Sequence, residues 1–404
     1  MVDFDVVVIG GGPGGLAAAG AAARAGCSVL VLEQGKEIGS PTRTTGASFV
    51  QDLRDLGIPG RFYHPLKSCR FVSPRHSARF DYDQPVACVI DVRGVFQFLA
   101  EGAIEAGAKI RVGTAAIQPI LENGCAVGVI AKSRTGPSLT SIRSKILIDA
   151  SGYKAAMLTQ AGVHSGFQRF GVGSEYDLYA PQCDPDEAVL LVGSQVAPAG
   201  YAWIFPWGHN RVRVGVGIIH GDSTAHPDQY LDRLVERSAD FGVNLNGAQP
   251  IEYHYGLIPS SGLAENFTGN GIMGVGDAAG QSSALAGEGI RWAIKAGRMA
   301  GAVAGQAIAA SDVSQRFLYR YQAQWEAAFG KNLRVAYEIN KKIAAFDDDQ
   351  WDQKTELLAL FNAYQFGQAL QTNLVAAWAV QFLWSHPRLL KEGLREIGHR
   401  LKIL

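Results

Sequence analysis

Residues 4–33, FDVVVIGGGPGGLAAAGAAARAGCSVLVLE, decide the fold of this 404-residue chain. The run Val6–Ile9 is β-branched, which is typical of a parallel strand buried on both faces. Gly10, Gly12 and Gly15 follow with GxGxxG spacing. In such a loop the first glycine permits a tight turn, the second lets a pyrophosphate approach the backbone, and the third lets the next helix pack against the strand.

The second half of this stretch completes a strand-helix-strand unit. Alanines dominate residues 17–23, so the predicted helix is slim, and its unpaired N-terminal N–H groups face the phosphate site. A second strand, 29–32, ends at Glu33, where a carboxylate accepts hydrogen bonds from ribose hydroxyls. The unit therefore predicts an adenine dinucleotide site, and an acid at this position favours FAD or NAD over NADP.

Composition limits the other function classes. At 404 residues the chain exceeds the size at which one core stops growing, which favours two closely packed domains. Lysine plus arginine and aspartate plus glutamate both number 37, so the formal net charge is zero and a nucleic-acid partner is disfavoured.

The cysteines and the termini indicate a cytosolic protein. Five scattered cysteines have no CxxC pair or His/Cys ligand spacing, so we expect reduced thiols and no metal site. The first strand begins within four residues of the N-terminus, which leaves no room for a signal peptide, and no uncharged apolar stretch reaches the length of a membrane span. Any membrane contact is expected to be peripheral.

Three further segments are predicted to complete the dinucleotide domain. Residues 91–113 form a helix and the strand KIRV, with Arg93 near the helix start as a charge-assisted donor to phosphate. The strand KILIDASG ends at Gly152. In 270–305 an apolar strand ends at Gly276-Asp277, and a loop with Gly287, Gly289 and Ile290 leads into a small-residue helix whose N-terminus favours an anionic flavin.

The loop after Glu33, EIGSPTRTTGASF, leaves the carboxyl end of the strand region, where such sheets bind ligands. Arg43, Thr44 and Thr45 are therefore candidates to face the cofactor, the alternative being a solvated loop. Residues 51–90 carry short strand-like runs with four prolines, which indicates an excursion into a second domain.

Strands dominate Gly166 to about Pro259 and predict an antiparallel sheet that walls a substrate chamber. Its most unusual part is APAGYAWIFPWG, where Tyr201, Trp203 and Phe205 alternate and so share one strand face. Three aromatics on one face are more often core than site, but Pro206 and Trp207 at the strand end are unusual for a core.

Residues 311–404 are strongly helical in pattern. The last piece, HPRLLKEGLREIGHRLKIL, has leucines and Ile397 on one face with basic residues around it. Two interpretations stay open: a C-terminal helix docked on the body, or an interfacial helix that touches anionic lipid.

These motifs together resemble FAD-dependent enzymes of the p-hydroxybenzoate-hydroxylase fold. Within that group, EIGSPTR with SQVAPAGYAWIFPWG and the following VGVG is similar to the geranylgeranyl reductase family, which reduces isolated carbon–carbon double bonds in prenyl chains. The resemblance covers residues 1 to about 310. It implies an α/β fold: a glutathione-reductase-type, Rossmann-like FAD-binding domain (1–50, 86–162 and 268–310), an interleaved antiparallel-sheet substrate domain (51–85 and 163–267) and a C-terminal helical region (311–404).

The resemblance also implies roles for single positions. The catalytic wall beside the flavin would comprise Tyr201, Trp203, Phe205 and Thr44. The FAD contacts would be Gly10, Gly12, Pro13, Gly15, Glu33, Gln34, Arg43, Thr44, Thr45, Arg93, Ala116, Gly152, Gly276, Asp277, Gly287, Gly289 and Ile290.

Two positions depart from the family pattern. Many relatives have cysteine after the arginine, where this chain has Thr44, and proline where it has Ala284. If that cysteine delivers a proton in relatives, this protein does so otherwise or not at all.

The expected activity is hydride transfer from reduced FAD to one alkene carbon while a proton reaches the other, and no acid near 201–206 is an evident proton source. Transiently bound NAD(P)H, ferredoxin or another reductase would reduce the flavin, since no second GxGxxG nucleotide site is visible. One alternative is a flavin monooxygenase or halogenase, for which Lys67 and Lys154 are the candidate lysines. The other is a carrier of prenylated proteins, although such carriers have typically lost the flavin motifs.

Overall fold

A computed structural model describes residues 2–136 and 138–373. In chain order its first half contains β1 (Phe4–Ile9), α1 (Pro13–Arg24), β2 (Val29–Leu32), β3 (Ala47–Phe49), α2 (Val50–Asp55), β4 (Tyr63–Pro65), β5 (Ser68–Val72), β6 (Ser77–Asp81), β7 (Ala87–Ile90), α3 (Val92–Glu105), β8 (Lys109–Arg111), β9 (Thr114–Glu122), β10 (Cys125–Ser133), β11 (Leu139–Asp149) and α4 (Ala156–Gln160).

The second half alternates between strands and helices and ends in helices alone. Its elements are β12 (Phe170–Tyr179), β13 (Glu187–Gly193), β14 (Ala197–Gly208), β15 (Arg211–His220), α5 (Asp228–Glu236), β16 (Gln249–Pro259), β17 (Thr268–Gly269), β18 (Ile272–Gly274), α6 (Ile290–Ala310), α7 (Gln315–Trp325), α8 (Lys331–Ile343), α9 (Asp348–Leu358) and α10 (Ala363–Leu370).

The first sheet carries the opening motif. Its strand order is β17-β18-β11-β1-β2-β8, and β1 runs parallel to both β11 and β2. Val6, Val7 and Val8 are fully buried, as expected for a strand covered on both faces. The chain is therefore an α/β protein with mixed sheets.

Small residues let helices α1 and α6 pack at very short range. A Cβ added at Gly297 would lie 2.2 Å from the carbonyl oxygen of Gly14, and one at Gly301 would lie 2.3 Å from that of Ala18. Any larger side chain at these two positions would separate the helices. This contact brings the segment after residue 270 against the opening glycine loop, although the two are far apart in sequence.

The second sheet has seven strands in the order β16-β12-β15-β14-β13-β5-β6. The expectation of an antiparallel sheet holds for every pair except β13 and β5, which are parallel. These two strands come from distant parts of the chain, so no hairpin fixes their relative direction. Strands β5 and β6 lie within residues 51–85, the predicted excursion.

A helix interrupts the region where the sequence indicated mostly strands. Helix α5 buries Leu231 and Leu234 in the same apolar cluster as Val214 and Val216 of β15. Its spacing of leucines is helical, and the helix covers the face of the second sheet that carries those valines.

The C-terminal helices close over the far edge of the second sheet. The Asp352 carboxylate of α9 accepts hydrogen bonds from the Ser73 hydroxyl and the Arg75 guanidinium, both at 2.6 Å. Phe366 of α10 stacks on Phe80 of β6 with ring centroids 3.9 Å apart. The C-terminal segment 386–404, for which a docked helix and an interfacial helix are the two interpretations, lies outside the described residues.

Within residues 2–136 and 138–373, none of the helices combines the length and the apolar composition that crossing a membrane requires.

Candidate active site

A cavity of about 1280 Å³ lies where the two sheets and the C-terminal helices meet. Its walls come from the loops after β1 and β2, the inner faces of β12 to β16, the turn 284–290, and helices α8, α9 and α10. Most of the lining is apolar, and the polar groups are concentrated at the loops. A chamber of this kind fits a ligand with a long hydrocarbon portion.

Strand register gathers three motifs at one end of this cavity. Ile9, Asp149 and Gly274 are direct neighbours across β1, β11 and β18, so the loops that follow these strands emerge side by side. Those loops supply Gly12, Pro13, Gly152, Gly276 and Asp277 to the lining. The carboxyl edge of a parallel sheet is where such folds bind ligands.

The GxGxxG loop has the geometry that its glycines predict. A Cβ added at Gly15 would lie 2.1 Å from the carbonyl oxygen of Gly10, so this position keeps α1 close to β1. At Gly12 an added Cβ would meet nothing within 4 Å, which means that open space borders the N-terminus of α1. Helix α1 thus offers free N–H groups to an anion beside Gly12.

Glu33 stands at the end of β2 beside this loop. Its carboxylate accepts hydrogen bonds from the backbone N–H groups of Gly11 at 2.7 Å and Gly35 at 2.5 Å. These contacts fix the carboxylate and leave acceptor capacity for a ribose.

Some predicted cofactor contacts do not border the cavity. Among the described residues, its lining omits Gly10, Gly15, Glu33, Gln34, Arg93 and Ala116. Arg93 forms an exposed ion pair with Glu37 at 2.7 Å, and its contact with the cofactor stays a prediction. Ala116 lies near the start of β9, whose first residue, Thr114, bonds through its backbone N–H to the Glu33 carbonyl at 2.8 Å. These residues lie around the Glu33 end of the loop.

Asp277 presents an unsatisfied acid to the cavity. Within the described part of the chain, none of the donors forms a hydrogen bond with its carboxylate, and burial raises its pKa to about 6. A carboxyl in this state suits a polyhydroxyl ligand that donates hydrogen bonds. Together with the open space at Gly12 and the fixed carboxylate of Glu33, these residues fit FAD.

The turn before α6 joins the two sheets. Tyr201 of β14 donates its hydroxyl to the carbonyl of Ala286 at 2.7 Å. Gly287 has φ +60°, a conformation that favours glycine, and an added Cβ would lie 2.8 Å from the Tyr201 oxygen. Gly289 and Ile290 follow at the start of α6, and all three residues of this turn border the cavity.

The aromatic row lines the cavity as its alternation predicts. Tyr201, Trp203 and Phe205 all border the same space, and the first two rings lie 5.5 Å apart. Trp207 is directed elsewhere: its indole N–H bonds to Asp177 at 3.1 Å, and the Arg213 guanidinium lies 4.4 Å from its ring. The row therefore belongs to a cavity wall.

The loop after β2 adds three further lining residues, Arg43, Thr44 and Thr45. The Thr45 hydroxyl donates to Glu175 at 2.5 Å. Gly256 of β16 allows this loop to approach, because an added Cβ would lie 2.1 Å from the Arg43 carbonyl oxygen.

Among the buried residues of the cavity wall, sequence reasoning missed two acids and a histidine, Glu175, Glu288 and His254. Each is at most 8% exposed. The Glu288 carboxylate bonds through one oxygen to Arg291 at 2.8 Å, its other oxygen has no partner among the described residues, and burial raises its pKa. The sequence signal that could have identified these residues is an acid or a histidine inside an otherwise apolar strand or inside a glycine-rich turn.

Two sequence families match the chain. The model of the family FAD dependent oxidoreductase matches residues 5–180, and that of the geranylgeranyl reductase catalytic domain matches residues 171–258. The second match contains the aromatic row together with Glu175 and His254.

Curated relatives match over nearly the whole chain. It is 32% identical to digeranylgeranylglycerophospholipid reductase 2 of Methanopyrus kandleri, over 88% of this chain and 91% of the relative. It is 31% identical to digeranylgeranylglycerophospholipid reductase of Methanosarcina acetivorans, over 98% of each.

Solved structures share the architecture. A geranylgeranyl bacteriochlorophyll reductase-like protein from Thermoplasma acidophilum superposes with a TM-score of 0.84 at 27% identity, covering 96% of this chain and 98% of that one. The flavin-dependent brominase Bmp2 superposes with a TM-score of 0.68 at 19% identity over 98% of this chain and 99% of that one, a likeness of fold alone.

The glycine loop, the acid at the end of β2 and the family matches define an FAD-dependent oxidoreductase. This class fits both the open space at the start of α1 and the unsatisfied carboxyl of Asp277. The chain belongs to the geranylgeranyl reductase family.

Proposed function

We propose that this protein reduces carbon–carbon double bonds of a geranylgeranyl-type prenyl chain carried by a glycerophospholipid. The observation that carries this proposal is the single cavity that Tyr201, Trp203 and Phe205 share with the turn at Gly287 to Ile290. Its volume of about 1280 Å³ exceeds the roughly 300–1,000 Å³ of a pocket for one drug-sized ligand. That leaves room for part of a cofactor and a hydrocarbon chain together.

The cofactor would lie along the gathered loops. Gly12 and the N-terminus of α1 would hold the pyrophosphate, and Glu33 the adenosine ribose. Asp277 would accept hydrogen bonds from the ribityl chain, and the N-terminus of α6 after Gly289 would face the flavin ring. Reduced FAD supplies the hydride in this chemistry.

The chain's own residues would align the substrate and exclude water. The aromatic row offers flat, rigid surfaces to a polyene, and hydride transfer needs the alkene held at close range. Two exposed lysines, Lys342 of α8 and Lys354 of α9, also border the cavity. They would attract the phosphate head group of the lipid where the cavity opens to solvent.

The donor of electrons to the flavin is proposed to be a transient partner: NAD(P)H, ferredoxin or another reductase. Of the GxGxxG stretches in the chain, the one at 10–15 stands between a strand and a helix, which supports a donor without a dedicated dinucleotide domain. The boundaries given above for the FAD, substrate and C-terminal domains are proposed in the same way, as is peripheral membrane contact.

Anaerobic turnover tests the proposal. Holoenzyme reduced with dithionite is mixed with a digeranylgeranyl glycerophospholipid, and the products are analysed by mass spectrometry. We expect a gain of two mass units for each double bond reduced, with reoxidation of the flavin. Failure to form a saturated product, combined with oxygen-dependent turnover, would sink the proposal.

A second candidate is a flavin monooxygenase or halogenase, which the fold shared with the brominase favours. The two lysines considered from sequence give it no support. Lys67 pairs with Asp186 at 2.7 Å, Lys154 is exposed, and the cavity lining of the described residues contains neither. Halide incorporation or hydroxylation under air would favour this candidate.

A further inference from the structure

Side chains on three strands of the second sheet, β12, β14 and β16, form a hydrogen-bonded row. Glu175 of β12 is the direct cross-strand neighbour of His254 on β16. The imidazole Nδ1 and the carboxylate Oε1 lie 2.8 Å apart, and both side chains are at most 5% exposed. The other oxygen, Oε2, accepts the indole N–H of Trp203 at 2.7 Å. Glu175 is thus a buried carboxylate, and each of its two oxygens has a hydrogen-bond partner.

The row reaches solvent at one end. The second ring nitrogen of His254, Nε2, lies 3.0 Å from the carboxylate of Glu252, whose side chain is 53% exposed. A protonated histidine donates a hydrogen bond from each ring nitrogen, and here each nitrogen has a carboxylate as its acceptor. Protons from water therefore have a hydrogen-bonded route to Glu175.

The row reaches the cavity at the other end. Thr45 donates its hydroxyl to Glu175 Oε2 at 2.5 Å, and Thr45 borders the cavity. A hydroxyl bonded to a buried acid therefore lies at the cavity wall.

We propose that Glu252, His254, Glu175 and Thr45 form a proton relay from solvent to the reacting alkene. The inference rests on the proposed function, because reduction of a double bond consumes one hydride and one proton. One carbon forms its new C–H bond with the hydride from reduced FAD. The π electron pair forms the second C–H bond with the proton from Thr45 Oγ1.

The relay then refills in order. Glu175 takes a proton from Nδ1 of the doubly protonated His254 ring and passes it to Thr45 Oγ1 as that hydroxyl gives its own proton to the alkene. The neutral ring keeps its Nε2 proton. A half-turn of the ring about its Cβ–Cγ bond then presents the vacant Nδ1 to Glu252, through which it takes a proton from water. Thr45 is the group that touches the substrate. Glu175, His254 and Glu252 act through it.

The charges around His254 support its proton-carrying role. Burial disfavours the charged ring, but hydrogen bonds to Glu175 and Glu252 outweigh burial and raise its pKa. Arg213 of β15 opposes protonation, although its guanidinium is directed to Asp177 at 3.4 Å and to the carbonyls of Thr45 and Ile90. The Arg211 guanidinium lies 3.6 Å from the Glu252 carboxylate.

Single-turnover reoxidation of dithionite-reduced holoenzyme by the prenyl lipid tests the relay across pH. In the wild type the rate should fall as pH rises through the His254 pKa. We expect His254→Gln to slow reoxidation at least tenfold and to flatten this profile, with flavin content unchanged. Glu252→Gln, at an exposed position, should move the inflection to lower pH because it removes a carboxylate that raises the His254 pKa.

Thr45→Val should slow the same step, and Thr45→Ser should restore it, since serine keeps the hydroxyl. The matched control is His226→Gln, at an exposed histidine outside the cavity lining of the described residues. If His254 only stabilised the fold, His254→Gln would lower the melting temperature or the flavin content. In that case Glu252→Gln would leave the inflection of the rate against pH unchanged.

A readout independent of turnover is the ¹⁵N resonance of His254, assigned by its loss in His254→Gln. Its titration should show a raised pKa that falls in Glu252→Gln. Unchanged rate and inflection in His254→Gln, or loss of the pH dependence in Glu288→Gln instead, would overturn the relay. Absence of a saturated product from the wild type would refute the proposed function, a separate outcome.

Discussion

Trp203 on β14 donates its indole N–H to the carboxylate of Glu175 on β12 over 2.7 Å, although β15 lies between the two strands. The register explains how the ring crosses that strand. Gly215 of β15 is the direct neighbour of both residues, and an added Cβ would lie 2.3 Å from the indole. A glycine in the middle of a strand thus permits a contact that connects the aromatic wall to a buried acid.

Replacing Gly215 by alanine should displace the indole and break its bond to Glu175. We expect a loss of about 1–3 kcal/mol in the free energy of unfolding, typical of overpacking, and a lower rate of alkene reduction. Denaturant titration and single-turnover kinetics measure the two effects. Gly173→Ala is the control, because a Cβ there would lie 3.7 Å from the same ring, an ordinary contact. Equal behaviour of the two variants would refute this account of Gly215.

Replacing Gly12 by valine should remove flavin and leave the fold intact. The position borders open space, so the free energy of unfolding of the flavin-free protein should change by no more than roughly 0.5 kcal/mol. Bound flavin, measured by absorbance, should fall at least tenfold because the side chain fills the pyrophosphate site. Gly15→Ala should instead destabilise the flavin-free protein, by about 1–3 kcal/mol. Normal flavin content in Gly12→Val would contradict the assignment of the loop.

Asp277 should make the flavin-free protein less stable at alkaline pH. Its pKa of about 6 in the folded state lies above the value near 3.9 of an exposed aspartate. Protonation of Asp277 therefore stabilises the folded state to its full extent below about pH 4. This contribution to the free energy of unfolding is lost as pH rises through about 6. Asp277→Asn should raise the melting temperature at pH 8, by roughly 2 °C, with no difference below about pH 4.

The same substitution should weaken flavin binding. Loss of a charge-assisted acceptor costs about 1.5–3 kcal/mol, or roughly tenfold or more in the dissociation constant. Calorimetric titration of FAD into the flavin-free variant measures this effect. Unaltered affinity would remove Asp277 from the cofactor site.

The lysines at the cavity opening should recognise the head group. Lys342→Ala and Lys354→Ala should each raise the KM for a phosphorylated prenyl lipid, by about threefold to tenfold, and leave the KM for the neutral prenyl alcohol unchanged. Raised ionic strength should reduce the difference. Lys341→Ala is the control, since that exposed lysine pairs with Glu338 and is outside the cavity lining of the described residues. An equal effect on the alcohol would argue against head-group recognition.

Local patterns sufficed for much of the fold and of the candidate site. The glycine spacing and the acid at position 33 predicted the dinucleotide unit, because each feature belongs to one short segment. Alternation predicted that Tyr201, Trp203 and Phe205 share a wall, since a strand has a period of two residues. The family resemblance predicted from these motifs is confirmed by relatives that cover nearly the whole chain.

Pairings between residues far apart in the chain mark the limit of such patterns. The phosphate contact expected of Arg93 stays a prediction, and its ion pair with Glu37, 56 positions away, could not be foreseen from the sequence. The parallel pairing of β5 with β13 and the helix α5 were likewise unseen from sequence, because neither follows from local periodicity alone.

The sequence by itself determined the cofactor class, the buried strands and the aromatic face, because these depend on residue type and spacing within single elements. Only the tertiary structure decided that Glu175 lies opposite His254, that Gly215 lets Trp203 cross a strand, and that Thr45 meets the same carboxylate. The most distant of these partners in sequence are Thr45 and Glu175, 130 positions apart. Strand register and the close approach of backbones determine such contacts, and neither produces a periodic pattern in a single sequence.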